Sequence, residues 1–284
     1  MSNSPQWATR SGDVWAERWR DTDQALAGLS PALHAAILAA APDGPLRAFD
    51  IGCGPGSTSL DLAAARPDAR IVACDLSPAL VELARERLAS FAGAQVVLGD
   101  AQAAAVANGP FDLLYSRHGV MFFANPVAAF SDLRRAVRPG GRLLFSCFQS
   151  WGLNPWACEL ASAAAGRPLA PPGSEPGAFA FAEPPYVRGI LDVSGWANAR
   201  AQAIAFTYVA GEGPEGVADA LSFLCAIGPA ARAIEELPAD AREDAILRVR
   251  RVIEAHSDGE QVQFAAAAWI WSAEAPLRSD DARA

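Results

Sequence analysis

Between residues 46 and 148, short uninterrupted apolar runs alternate with longer segments whose apolar positions recur every three or four residues. The runs are LRAFDIGC, ARIVACDLS, QVVLGD, FDLLYSRH and GRLLFSCF. Runs without polar alternation fit strands buried on both faces, which is the environment of a parallel sheet. The segments between them carry helix punctuation. Ser77-Pro78 places an N-cap and a first-turn proline ahead of ALVELARERLASF, and Asn125-Pro126 repeats the device before VAAFSDLRRAV. Pro139-Gly140-Gly141 is expected to end that second helix. Five strands with crossover helices predict a doubly wound α/β sheet.

Outside this stretch the pattern changes. Residues 1–46 read as a helical cap, with Trp15, Trp19 and Leu26, then Leu33, Ile37 and Leu38, at helical spacing. After Phe148 the regularity breaks. A short helix opened by Asn154-Pro155 leads into a loop rich in Pro and Gly. PPYVRGILDVSGW then predicts a helix, ANARAQAIAFTYV a sixth strand, residues 214–257 two or three helices, and QVQFAAAAWIWSAEA a last strand. The tail from Pro276 is expected to be disordered. The whole reads as one domain over 1–284, with its core at 47–148 and insertions at 149–182 and 210–261.

Composition narrows the chemistry. All 23 basic residues are arginine, so a Walker A lysine, a Schiff-base lysine and a Tyr-x-x-x-Lys dehydrogenase pair are excluded. A formal net charge of −9, with no basic run beyond RVRR at 248–251, argues against a nucleic-acid partner. Five scattered cysteines without Cys/His ligand spacing predict reduced thiols and no metal site. No apolar leader opens the chain, and FAAAAWIW is too short to span a bilayer, so a cytoplasmic protein without membrane contact is expected.

The first strand runs into Gly52, Gly54 and Gly56. A dinucleotide fingerprint would place its third glycine at 57, where Ser57 stands. Three carboxylates give the loop its meaning. Asp75 ends the second strand, where a carboxylate accepts from ribose hydroxyls of either a dinucleotide or an adenosyl ligand. Asp100 ends the third strand, suited to an exocyclic adenine amine and also to capping the helix after it. Asp50 lies two residues before the first glycine, where a negative charge favours a cationic nucleoside over a pyrophosphate.

With these motifs in order, residues 46–148 resemble a class I S-adenosylmethionine-dependent methyltransferase of the type-11 group. FDIGCGPGS, VACDLSPALVELAR, VVLGDAQA and FDLLYSRHGVMFFANPVAAFSDLRRAVRPGGRLLF match its successive motifs. The resemblance implies a Rossmann-like seven-stranded sheet ordered 3-2-1-4-5-7-6 with strand seven antiparallel, and S-adenosylmethionine as cofactor. It implies a cofactor shell of Asp50, Gly52, Cys53, Gly54, Gly56, Asp75 and Leu76, with Asp100 and Ala101 at the adenine. Ser116 and Arg117 would lie beside the methionyl end.

Methyl transfer from a sulfonium chiefly demands alignment in a dry pocket, with a general base needed only for a protonated acceptor. His118, just past strand four, is the candidate base. Trp151, Trp156, Phe179, Phe181 and Phe223 in the insertions are candidate pocket walls. The exit SRHG lacks the Asn/Asp-Pro-Pro-Tyr pattern of many amino-directed methyltransferases. A small apolar or aromatic metabolite, methylated on oxygen or carbon, is the expected substrate, with the enzyme a monomer or homodimer. A catalytically idle methyltransferase-fold protein and an NAD-dependent oxidoreductase are the alternatives.

Overall fold

The computed structural model describes residues 10–277. The start of the chain at 1–9 and the tail from 278 onward, expected above to lack a leader and to be disordered, lie outside the described residues. Three helices come first: α1 (Arg10–Glu17), α2 (Trp19–Ala25) and α3 (Ser30–Ala40). In α3, Leu33 and Ile37 stand one turn apart on a single buried stripe, as their spacing requires.

The core then alternates β1 (Arg47–Ile51), α4 (Ser57–Ala65), β2 (Arg70–Asp75), α5 (Pro78–Leu88), β3 (Ala94–Leu98) and α6 (Ala101–Asn108). It continues through β4 (Phe111–Arg117), α7 (Pro126–Arg135) and β5 (Val137–Phe148). After β5 come α8 (Pro155–Ala165), α9 (Pro184–Val193), β6 (Ala197–Glu212), α10 (Gly216–Ala226), α11 (Pro229–Glu235), α12 (Arg242–Ala255) and β7 (Gln261–Glu274). Ser77 caps α5 and Asn125 caps α7 through their side chains, as their sequence position predicts.

The sheet order is β3-β2-β1-β4-β5-β7-β6, parallel from β3 to β5, with β7 antiparallel to both neighbours. The expected topology is therefore the observed one. Alternation along the strands feeds two cores. Ala48, Leu113 and Leu144 face α3 and α4, while Phe49, Leu114 and Phe145 face Phe130 and Leu133 of α7. Each fully buried phenylalanine or leucine contributes about 1.5–3 kcal/mol relative to exposure, so this double-faced burial is what makes the sheet rigid.

One boundary differs from expectation. Helix α7 closes at Arg135, short of the Pro-Gly-Gly turn. Val137 pairs with Phe111 on β4, and the Gly140 N–H donates to the Ala275 carbonyl at 2.8 Å, so tertiary partners draw the turn into the sheet. In the later segments α8 packs against α11 and α12, and α10 against β6. Among the described residues no single helix is long and apolar enough to cross a membrane. The apolar pair at Gly216–Leu224 and Pro229–Glu235 reaches that length only together and is bent by 64°.

Candidate active site

The parallel strands deliver their carboxyl ends to one edge of the sheet, where ligands of open α/β folds bind. Between the end of β1 and the start of α4 the backbone turns left-handed three times, at Gly52, Gly54 and Gly56. At Gly54 (φ +54°) a Cβ would meet nothing within 4 Å. Glycine is thus required there by the backbone and leaves an open cradle, since no packing neighbour forbids a side chain.

Asp75 builds this loop as well as facing it. Its Oδ2 accepts from the Gly54 N–H at 2.8 Å and its Oδ1 from the Ser77 N–H at 2.9 Å. Each oxygen keeps lone-pair capacity for a hydroxyl donor. Burial raises the Asp75 pKa, and the amides of Ser77, Gly54 and Leu76 pull it back. Below the loop, Asp50 is almost wholly buried and accepts from Ser59 Oγ at 2.7 Å. Desolvation pushes its pKa up to about 7, against the lowering effect of Ser59 and of the Arg117 cation. A buried carboxyl poised near neutrality is a ready partner for an incoming positive charge.

Asp100 serves the helix cap foreseen as its second role: the Gln102 and Ala103 N–H groups donate to Oδ1 at 2.9 and 3.2 Å. Both cap bonds land on one oxygen, and Oδ2 remains free to accept. Leu76 and Ala101 are half-buried beside these carboxylates. Cys53 is buried, and desolvation with the nearby Asp50 and Asp75 raises its thiol pKa well above the usual value, so it contributes shape rather than nucleophilicity.

At the exit of β4 the expected pair of residues divides. The Ser116 hydroxyl donates to the Ile51 carbonyl at 2.7 Å and accepts from the Gly119 N–H at 3.1 Å, fully buried. Its side chain is used up in tying β4 to β1, leaving only main chain for a ligand. Arg117 reaches over the loop to Asp23 of α2, at 2.6 Å. The same carboxylate accepts from Ser57 Oγ at 2.8 and 2.6 Å and from Arg87 at 3.3 Å. Arg87 in turn donates to the Pro55 carbonyl and lies over the Trp19 ring, 4.3 Å from its centroid. Trp19 thus packs beside the loop through a cation.

His118 adopts a left-handed backbone (φ +61°), uncommon for a residue with a side chain. Its Nδ1 lies 2.8 Å from Ser146 Oγ, and its ring packs 4.2 Å from the Phe148 ring. Nε2 is buried without a hydrogen-bond partner. Burial, aided by the Arg117 cation, lowers the His118 pKa to about 3. The imidazole is therefore neutral at physiological pH and too weakly basic to suit the role of general base expected of it, which works best with a pKa near the operating pH.

From Phe148 a set of aromatic rings extends into both insertions. Phe148 lies 4.9 Å from Trp156 and 5.7 Å from Phe179, and Trp151 sits edge-on to Phe179 at 5.0 Å. Trp156 stacks on Tyr208 at 4.7 Å, and Tyr208 on Phe223 at 6.5 Å. Four of the five expected wall residues thus join one group that touches His118 through Phe148. Phe181 does not: it packs with Phe130 and Phe145 in the core on the α7 side of the sheet, which corrects its expected place in a pocket. Sequence reasoning missed Asp23, Ser57, Arg87, Gly119, Ser146 and Phe148. Of these, Ser57 stood inside FDIGCGPGS, Gly119 next to SRH, and Ser146 and Phe148 inside the run GRLLFSCF, but nothing in those patterns marked their side chains as partners of the site.

Residues 49–145 match a family model described as a methyltransferase domain. The chain is 34% identical over 122 residues to a malonyl-[acyl-carrier protein] O-methyltransferase of Hahella chejuensis, a match covering 43% of each chain. It is 33% identical over 188 residues to an uncharacterized protein of Mycobacterium tuberculosis, covering 63% of each. Among solved structures, the YcgJ protein of Bacillus subtilis superposes with a TM-score of 0.55 at 16% identity, covering 87% of this chain and 99% of that one. Phosphoethanolamine N-methyltransferase 2 of Haemonchus contortus, in complex with S-adenosyl-L-methionine, gives 0.55 at 15% identity, covering 98% of this chain and 61% of that one.

Residues 49–145 form a methyltransferase domain.

The resemblance implies S-adenosylmethionine as the cofactor of this domain, and the residues present fit it. The loop is open at Gly54, Asp75 retains acceptor capacity, Asp100 Oδ2 is free and Asp50 supplies negative charge. The chain matches less than half the length of the Hahella chejuensis relative, so what its own cap regions do must be argued from its own residues.

Proposed function

We propose that this methyltransferase moves the methyl group of S-adenosylmethionine to an oxygen or carbon of a small, apolar or aromatic metabolite that reaches the site already ionised. The reading is carried by His118, a buried neutral imidazole whose Nε2 has no partner and whose ring adjoins an aromatic wall. When bound, the cofactor supplies a methyl group already activated by the positive sulfur, so the protein's work is alignment and exclusion of water.

In this reading the glycine loop and Asp75 hold the ribose end, Asp100 with the Ala101 backbone reads the adenine, and Asp50 balances the cofactor's positive charge. Cys53 and Leu76 shape the walls. If the Ser146 hydroxyl donates to Nδ1, the His118 proton sits on Nε2 and is presented to an anionic acceptor oxygen. Arg117, close enough to lower the pKa of both Asp50 and His118, adds favourable potential for an anion. Trp151, Trp156, Phe179 and Phe223 give the flat apolar wall. The insertions at 149–182 and 210–261 close over the acceptor, with residues 10–46 on the third side.

The names of the malonyl-[acyl-carrier protein] relatives specify an oxygen acceptor, which agrees with this reading for a match of about a hundred residues. The test is a panel of acidic phenols, enols, carboxylates, aliphatic alcohols and amines, scored by S-adenosylhomocysteine formed. Turnover confined to the first three classes is expected. Preferred turnover of alcohols or amines would contradict it, and cofactor binding with no turnover on any class would favour the idle alternative.

A further inference from the structure

The Asp23–Arg117 ion pair is the best-connected charged contact at the mouth of the site. Its two side chains are only 21% and 11% exposed, and it joins α2 to the end of β4 across 94 residues. The Asp23 carboxylate lies at the first turn of α4, held by Ser57 Oγ on both oxygens and by Arg87, which itself grips the glycine loop at Pro55. A helix N-terminus following a glycine loop, with two guanidinium groups beside it, is a site for a carboxylate. An internal carboxylate fills it.

We propose that Asp23 stands in for the α-carboxylate of S-adenosylmethionine, and that the cofactor binds by taking Arg117 away from Asp23. This rests on the reading that the Gly52–Gly56 loop holds that cofactor. It adds that the amino-acid end is recognised by Arg117 in competition with a side chain of α2. On exchange, Asp23 keeps Ser57 and Arg87, so α2 loses only its contact with β4. Arg18, at the head of α2, also hydrogen-bonds Ser222 of α10, so the exchange is relayed from the cofactor side to the segment expected over the acceptor. The device makes the cofactor's amino-acid end, and not the nucleoside alone, the trigger for rearranging the cap.

The proposal separates ligands that differ only at that end. S-adenosylhomocysteine carries the carboxylate and lacks the sulfonium charge, and 5′-methylthioadenosine keeps the nucleoside thioether without the amino acid. Calorimetric titration of the full chain with each is the test. Asp23→Asn keeps the shape and removes the competing charge, so it should tighten S-adenosylhomocysteine at least threefold and leave 5′-methylthioadenosine unchanged. Arg117→Met should weaken S-adenosylhomocysteine at least tenfold and again spare 5′-methylthioadenosine. A loss, or no change, of S-adenosylhomocysteine affinity in Asp23→Asn overturns the proposal, as does an equal shift for both ligands in either variant, which is what a merely structural contact would give. Wild-type protein that binds neither ligand would instead bring down the cofactor reading beneath it.

Discussion

Two buried titratable residues carry opposite pH signatures. Asp50 has a pKa raised from 3.8 to about 7, so the folded state holds a proton that the unfolded state releases, and stability falls as pH rises through that window. His118 has a pKa lowered from 6.5 to about 3, so unfolding takes up a proton, and stability falls as pH drops through its window. Either shift corresponds to about 4–5 kcal/mol at its limit. Relative to wild type, Asp50→Asn should therefore gain stability from about pH 4 to 7 and hold the gain above, whereas His118→Gln should gain it on acidification from about 6.5 to 3. Denaturant unfolding across this range checks both; parallel pH profiles for wild type and variants would contradict the assigned ionisation states. The same Asp50 makes cofactor binding proton-linked: affinity for S-adenosylmethionine should rise from pH 6 to 7 and level off above, because a bound cation favours the carboxylate. At saturating cofactor, a weak imidazole also predicts no limb near pH 6.5 in kcat/KM for the acceptor, with His118→Phe losing about ten- to a hundredfold from the missing hydrogen bond. A limb at that pH, abolished by the substitution, would restore the general base.

At the scale of elements, the site depends on how closely the exits of β1 and β4 approach. Gly119 is the contact point: an added Cβ would lie 2.6 Å from the Ile51 carbonyl, 2.9 Å from Ser116 Oγ and 3.2 Å from Gly52 Cα. Two of these are backbone of the turn proposed to hold the cofactor. Gly119→Ala should cost about 1–3 kcal/mol by overpacking and weaken S-adenosylhomocysteine more than the stability loss alone explains. Unfolding midpoints and calorimetry on one preparation check this; unchanged affinity would show that the loop is set without this contact. Elements were legible from sequence where one signal decided them. The buried runs of β1 to β5 and the caps at Ser77 and Asn125 are local, and the structure keeps them. The end of α7 depended on Val137 finding Phe111 and Gly140 finding Ala275, partners that no local pattern contains. Phe179 and Phe181 read alike, yet the fold sends one toward His118 and the other toward α7.

For the whole molecule, the sheet brings Asp50, Asp75 and Asp100 from three strands to one edge, where Asp23 of α2 meets the glycine loop. Its topology and the left-handed glycine turn were readable because ordered motifs report strand ends directly. Asp23 was not, since its importance comes only from contacts made across 34, 64 and 94 residues. The aromatic group beside His118 was half-readable: aromatic content announced it, but which rings join it and which enter the core follows from packing alone. The central claim is that the bare loop flanked by Asp50, Asp75 and Asp100 is built for an adenosyl cofactor. Calorimetric titration of the purified chain with S-adenosylhomocysteine and, separately, with NAD tests it most directly. Saturable one-to-one binding of S-adenosylhomocysteine with no heat from NAD is the predicted result; tight NAD binding with none of S-adenosylhomocysteine would contradict the account.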